Sequence, residues 1–217
     1  MNHNPDPTRA SARVSGVAAI LAPVLLLAST IAFLVDGQGI NHGVLGGTVG
    51  VWSAFAFVIG FVGIVRSLET SAPRLAATLL VLSVIGFMTG LSYSISAIDL
   101  DVTGKAFMAA DASGNDAIGF LAFDPWGLCL PLALVLTAVL IWRTRVHPRW
   151  VAVPLLLGGL LFVPSREIGL APLAMAADAC LIIGLVPLGW ALLTRRAERD
   201  AAAVPATPHG AALPARP

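Results

Sequence analysis

Charge is scarce in this chain. Of 217 residues, 12% are Asp, Glu, Lys or Arg, about half the share of an average soluble domain. Lysine occurs once, as Lys105, tyrosine once, as Tyr93, and cysteine twice, as Cys129 and Cys180. Two cysteines exclude a disulfide-dense secreted scaffold, and a net charge of +1 excludes the basic footprint of a nucleic-acid binder. The four histidines show no metal-ligand spacing, no catalytic motif stands out, and no cofactor is implied. No internal repeat is evident, so the inverted halves of many transporters are not visible. What is present is hydrocarbon: 57% of residues are hydrophobic and mean hydropathy is +0.87. That rules out disorder. It also exceeds what one soluble core can hide, because a globule of this size needs a mostly polar surface. The remaining class is an all-α, polytopic transmembrane helix bundle.

A helix crosses the hydrocarbon with about 20 apolar residues. The sequence predicts six such spans, near residues 14–35, 44–65, 75–98, 125–142, 150–167 and 172–193. The first is too long for the apolar region of a signal peptide and lacks a clear cleavage site, so it reads as an uncleaved helix. The fourth opens on Asp124-Pro125, a capping residue followed by a proline at the first helical position. The fifth is short before Pro164; either the helix continues through Pro164 to Glu167 or the bilayer thins there. Residues 1–12 and the Ala/Pro-rich 197–217 read as disordered cytoplasmic tails flanking a transmembrane domain over 13–196.

Basic residues in short loops set orientation. With the N-terminus inside, eleven arginines fall in cytoplasmic segments, and only Lys105 and Arg166 lie outside. The expectation is therefore N-in and C-in. Twelve of thirteen basic residues are Arg, which points to a GC-rich bacterial genome and to a multi-pass protein of the bacterial plasma membrane. The loop between Asp99 and Phe123 is long; Lys105 to Ala112 is either a short interfacial helix or open loop.

Helix pairing in lipid relies on close backbone contact rather than apolar burial. Gly46, Gly50 and Ala54 recur at four-residue spacing in the second span, as do Gly86, Gly90 and Ser94 in the third. These stripes suit either contact within the chain, with the second and third spans as core, or a homo-oligomer. The two cysteines lie at different depths and read as small buried hydrophobes rather than a disulfide.

Polar groups crowd the outer halves of the spans: Ser29, Thr30, Thr48, Ser53, Thr89, Ser92, Tyr93, Ser94, Ser96 and Asp178. The inner halves hold only Ser15, Thr78, Ser83 and Thr137. On the third span Thr89, Ser92, Tyr93 and Ser96 share one helical face. Asp178 lies about 9 Å down the last helix from Pro172; an intramembrane carboxylate is a functional-site candidate that needs a partner. Arg166 is the nearest candidate, with Glu167 competing for it. The pair is either a clamp on the helix hairpin or part of a ligand site. The expected site is thus a polar, outward-facing pocket using Thr89, Ser92, Tyr93, Ser96, Arg166 and Asp178, above a dry inner half.

At Arg9-Ala-Ser-Ala-Arg13-Val-Ser-Gly16-Val17 and His147-Pro148-Arg149-Trp150 the chain resembles a group of small bacterial six-helix integral membrane proteins of unknown function. The resemblance implies a six-helix bundle and carries no functional residues with it. The leading expectation is a non-enzymatic protein that sits in the lipid bilayer and binds an amphiphilic small molecule or a protein partner. The alternative is an intramembrane enzyme on a lipid-like or isoprenoid substrate, with Asp178 or Glu167 as general acid and Tyr93 as hydrogen-bond donor. A small transporter is the third reading.

Overall fold

The computed structural model describes residues 7–36, 39–40, 42–103 and 125–202. Among them there is no strand, and six helices are long and apolar enough to cross a membrane. We number them α1 (Pro7–Asp36), α2 (Val44–Glu69), α3 (Pro73–Thr103), α4 (Cys129–Thr144), α5 (Ala152–Glu167) and α6 (Ala171–Ala202). The protein is an all-α polytopic helix bundle.

The helix borders differ from expectation where composition, not hydropathy, decides them. α1 starts at Pro7 and α6 runs to Ala202, so both overrun the limits set for the tails at 12 and 197. Proline fits the first helical turn, and the Ala/Glu/Arg run after Arg196 favours helix beyond the hydrocarbon. The spanning helix of the fourth segment covers Pro125–Thr144, with a turn at Leu128 before the regular α4. α5 continues through Pro164 to Glu167 and is preceded by a 3-10 turn at Arg149–Val151. The first of the two routes for this span is thus the one taken. The proposed interfacial helix at Lys105–Ala112, and residues 1–6 and 203–217, lie outside the described residues.

Short connections force consecutive helices to pack antiparallel. Two of these connections have three residues, 70–72 between α2 and α3 and 168–170 between α5 and α6; in the second, Gly169 takes φ +68°, a left-handed conformation that a side chain resists. Each helix packs on its neighbours in sequence, and α6 returns to α1, so the six form a closed ring. The α6–α1 seam is closed by backbone at one end: a Cβ on Gly189 would lie 2.7 Å from the Gly16 carbonyl oxygen. At the other end it is closed by a hydrogen bond from Thr30 Oγ1 to Asp178 Oδ2, 2.6 Å. Additional cross-links join α1 to α2, with Ser29 Oγ donating to the Gly46 carbonyl at 2.7 Å and Ser53 Oγ to that of Ala22 at 2.9 Å.

The interior half nearest the α2–α3 turn is filled by Leu68, Leu79, Leu134, Ile141, Leu155, Leu181 and Leu185, all buried. Several hydroxyls at this end turn back on their own helices, Thr78 to Arg74, Ser83 to Leu80 and Thr137 to Ala133, while Ser67 also pairs with the buried His147 ring at 3.1 Å. Such back-bonding satisfies a hydroxyl without opening a wet path. Outward, Trp52, Val81, Leu160, Ile183 and Trp190 remain exposed. A chain that is apolar both at its core and around its outside is suited to lipid, whose tails cover the outer band.

The small-residue stripes are consumed inside the chain. A Cβ on Gly46 would meet the Phe33 ring of α1, one on Gly50 would meet Ser94 and Ser29, and one on Gly86 would meet the Leu130 backbone of α4. Ala54 is buried. These positions serve contacts among α1, α2, α3 and α4 within the chain. Spans two and three do pack on each other, Gly50 against Ser94, within a ring in which α1 is the partner of Gly46 and α4 that of Gly86. Gly90 is the exception: a Cβ placed there has nothing within 4 Å among the described residues.

Candidate functional site

At the end of the bundle where α1 finishes and α2 begins, the ring opens into a half-enclosed cavity of about 480 Å³. That volume is within the range of small-molecule sites. Leu26, Ser29, Thr30 and Phe33 of α1 form one wall, and Gly50, Ser53, Ala54 and Phe57 of α2 the next. α3 contributes Gly86, Phe87, Thr89, Gly90, Tyr93 and Ser94. Gly127, Leu128 and Leu130 line the side towards α4, and Phe162, Val163, Arg166 and Glu167 come from α5.

Its base is aromatic. The Phe57 and Phe87 rings stack with centroids 4.7 Å apart, and Phe61 meets Phe87 edge-on at 4.9 Å. All three are buried, and offset and edge-on pairs of this kind hold well beyond their area. The cavity ends on this floor, and the dry interior half lies beneath it.

The upper wall carries the charge. Arg166 Nη2 donates to Asp178 Oδ1 at 2.8 Å. The other oxygen of Asp178 accepts from Thr30 Oγ1, so one fully buried carboxylate ties α5, α6 and α1 together. The guanidinium also lies over the Phe162 ring, 3.9 Å from its centroid, a cation–π contact that gains strength out of water. Arg166 Nη1 is buried and has no hydrogen-bond acceptor among the described residues.

Two helices diverge beside the cavity. α3 and α4 touch at Gly86, where an added Cβ would lie 2.4 Å from the Leu130 nitrogen. One turn further, among the described residues, a Cβ on Gly90 would have nothing within 4 Å, and one on Gly127 would have only the Tyr93 ring, at 3.9 Å. Gly90 and Gly127 line the cavity here, and Leu128 and Trp126 beside them are exposed.

The structure brings Thr89, Tyr93, Arg166 and Glu167 to one cavity and leaves Ser92, Ser96 and Asp178 out of its lining. The face of α3 turned to the cavity is Gly86, Thr89, Gly90, Tyr93 and Ser94, about one position round from the polar face read in the sequence. Ser92 donates to the Met88 carbonyl at 3.1 Å, which frees it to lie on the exposed side of the helix. Ser96 is buried away from the lining. Asp178 lies one layer behind, as the group that holds Arg166. Glu167 is exposed, and the described ion pair of Arg166 is with Asp178.

Thr30 is the partner sequence reasoning did not pair with Asp178. The signal was depth: Thr30 precedes the end of α1 by six residues, and Asp178 follows the start of α6 by seven, which puts both about 10 Å from the same bundle end. Phe57 and Phe87 gave no signal, since aromatics in apolar spans are ordinary. Cys129 and Cys180 are both free. No cluster of three metal-ligating side chains occurs among the described residues. The chain matches no protein-family model, no curated protein and no solved structure.

Proposed function

We propose that the protein is a non-enzymatic multi-pass membrane protein that binds an amphiphilic small molecule in the cavity between α1, α2, α3 and α5. The observation that carries this reading is the combination of an aromatic floor with a charged upper wall inside one half-open space of about 480 Å³. Hydrocarbon suits Phe57, Phe87 and Leu130; a polar head suits Thr89, Tyr93 and Arg166. The gap beside Gly90 gives such a molecule a sideways path from the bilayer. A carboxylate with both oxygens already hydrogen-bonded, set behind the lining, is a strut for Arg166 and not a general acid. The sealed lower half disfavours a transporter, which needs polar steps through the whole thickness.

Gly90→Leu tests the reading. It adds bulk to the cavity wall at a position where a Cβ meets nothing within 4 Å among the described residues, so the purified variant is expected to melt within a few degrees of wild type. Co-purifying lipid, measured by mass spectrometry of the detergent-solubilised protein, should be lost. Equal retention of the same lipid by both proteins would contradict the proposal.

The arginine-rich segments favour N-in and C-in, which turns the cavity to the outside of a bacterial plasma membrane. Glu167 is exposed at the cavity rim. In intact cells Glu167→Cys, made on a background lacking Cys129 and Cys180, should react with a membrane-impermeant maleimide. Labelling only after the cells are opened would reverse the orientation.

A further inference from the structure

The cavity has a built-in preference for charge, and it is not the one that a lone arginine suggests. The Arg166 guanidinium is already neutralised by Asp178 at 2.8 Å, and Glu167 adds a second carboxylate to the lining. The wall thus sets one guanidinium against two carboxylates, Asp178 behind the lining and Glu167 on it. An acidic head group entering here would face a guanidinium already spent on another carboxylate, and Glu167 close by. Like charges in a water-poor site repel far more than in solution.

The guanidinium nevertheless has donor capacity in reserve. A guanidinium carries five N–H donors; the bond described for this one runs from Nη2 to Asp178, and the side chain lines the cavity and stays 15% exposed. Phe162 beneath the plane and Asp178 at its edge fix the orientation of the group, so the donors it turns to the cavity are held in place. A carbonyl oxygen accepts from such a donor without bringing in charge. The rest of the cavity demands a hydrocarbon body: the Phe57–Phe87 floor, Leu26 and Leu130.

We propose that the occupant is an uncharged, membrane-borne molecule whose carbonyl oxygen accepts a hydrogen bond from Arg166. Two lipid classes share this chemistry, quinones and glycerol esters. The inference rests on the cavity being a ligand site, as proposed above, and narrows the ligand to a neutral acceptor.

Four probes against the full-length protein in a neutral detergent test it: a benzoquinone with a decyl tail, monoolein, oleate at pH 8, and hexadecane. At least one of the two carbonyl probes is expected to bind more tightly than oleate and hexadecane, and whichever binds identifies the source. Arg166→Lys keeps the charge opposite Asp178 but gives up the second donor arm. It should weaken the carbonyl probe about ten- to a hundredfold, the value of a hydrogen bond to a charged donor, and leave hexadecane unchanged. Should Arg166→Lys fold poorly, the double variant Arg166→Met/Asp178→Leu removes both charges and serves the same comparison. Tighter binding of oleate than of either uncharged probe, with sensitivity to Gly90→Leu, would overturn the neutral-carbonyl inference and leave the ligand site standing. Unchanged carbonyl binding in Arg166→Lys would also overturn it. Binding of no probe, with Gly90→Leu indistinguishable from wild type, would overturn the ligand site itself.

Discussion

Removing one member of the Arg166–Asp178 pair is expected to cost about 3–5 kcal/mol, while removing both costs little. Asp178 is fully buried and Arg166 is 15% exposed, so Arg166→Met strands a carboxylate and Asp178→Leu strands a guanidinium, each inside a membrane-spanning bundle. The buried Asp178 carboxylate then has neither water nor a counter-ion among the described residues, and the guanidinium keeps only Glu167 of the cavity lining. The double variant Arg166→Met/Asp178→Leu exchanges the pair for packed hydrocarbon, and Thr30 can return its hydroxyl to its own helix. The measurement is reversible unfolding from mixed micelles, read as a double-mutant cycle. Both single variants should lose most of their folded population, and the double should recover most of it. Single variants as stable as wild type would remove the pair from its place as the tie among α1, α5 and α6. The same cycle bears on the enzymatic alternative, because a strut fails through folding, whereas a catalytic acid fails through turnover in a protein that stays folded.

The second large effect is at Gly86. A Cβ there would lie 2.4 Å from the backbone nitrogen of Leu130 and 2.6 Å from its Cα. Backbone cannot rotate aside as a side chain can, so Gly86→Ala forces α4 outward and should cost about 1–3 kcal/mol, more for Gly86→Leu. Gly90, one turn along the same helix, is the internal control. It meets nothing within 4 Å among the described residues, and Gly90→Ala should be neutral or gain slightly from helix propensity, about 1 kcal/mol at most. Melting temperatures of the two alanine variants in one detergent decide the matter. Equal losses would mean that α3 and α4 do not part between these residues, and the sideways entrance would go with that finding.

Hydropathy and length made the six helices readable, since a membrane span is the least ambiguous signal a sequence carries. Turn chemistry was less readable: membrane helices tolerate an internal proline, so Pro164 alone does not say whether α5 stops there. For the site, depth was legible and azimuth was not. Arg166 could be matched to Asp178 because they are twelve residues apart across one turn, but Thr30 is 148 residues away from Asp178 and shares only its depth. The cavity face of α3 was misplaced by about one residue because hydroxyls were taken to mark it. In the structure two glycines mark it as strongly as the hydroxyls do: Gly86 by letting α4 approach, Gly90 by leaving room. Glycine stripes advertise close packing and empty space in the same letters, and only the neighbouring helix separates the two.

Native mass spectrometry of the protein released directly from its membranes is the most direct test of a lipid-binding cavity at this end of the bundle. The account predicts a discrete adduct of one uncharged lipid on the wild-type chain that is missing from Gly90→Leu at equal folded yield. A wild-type spectrum with no adduct, or an adduct carried equally by Gly90→Leu, would contradict it.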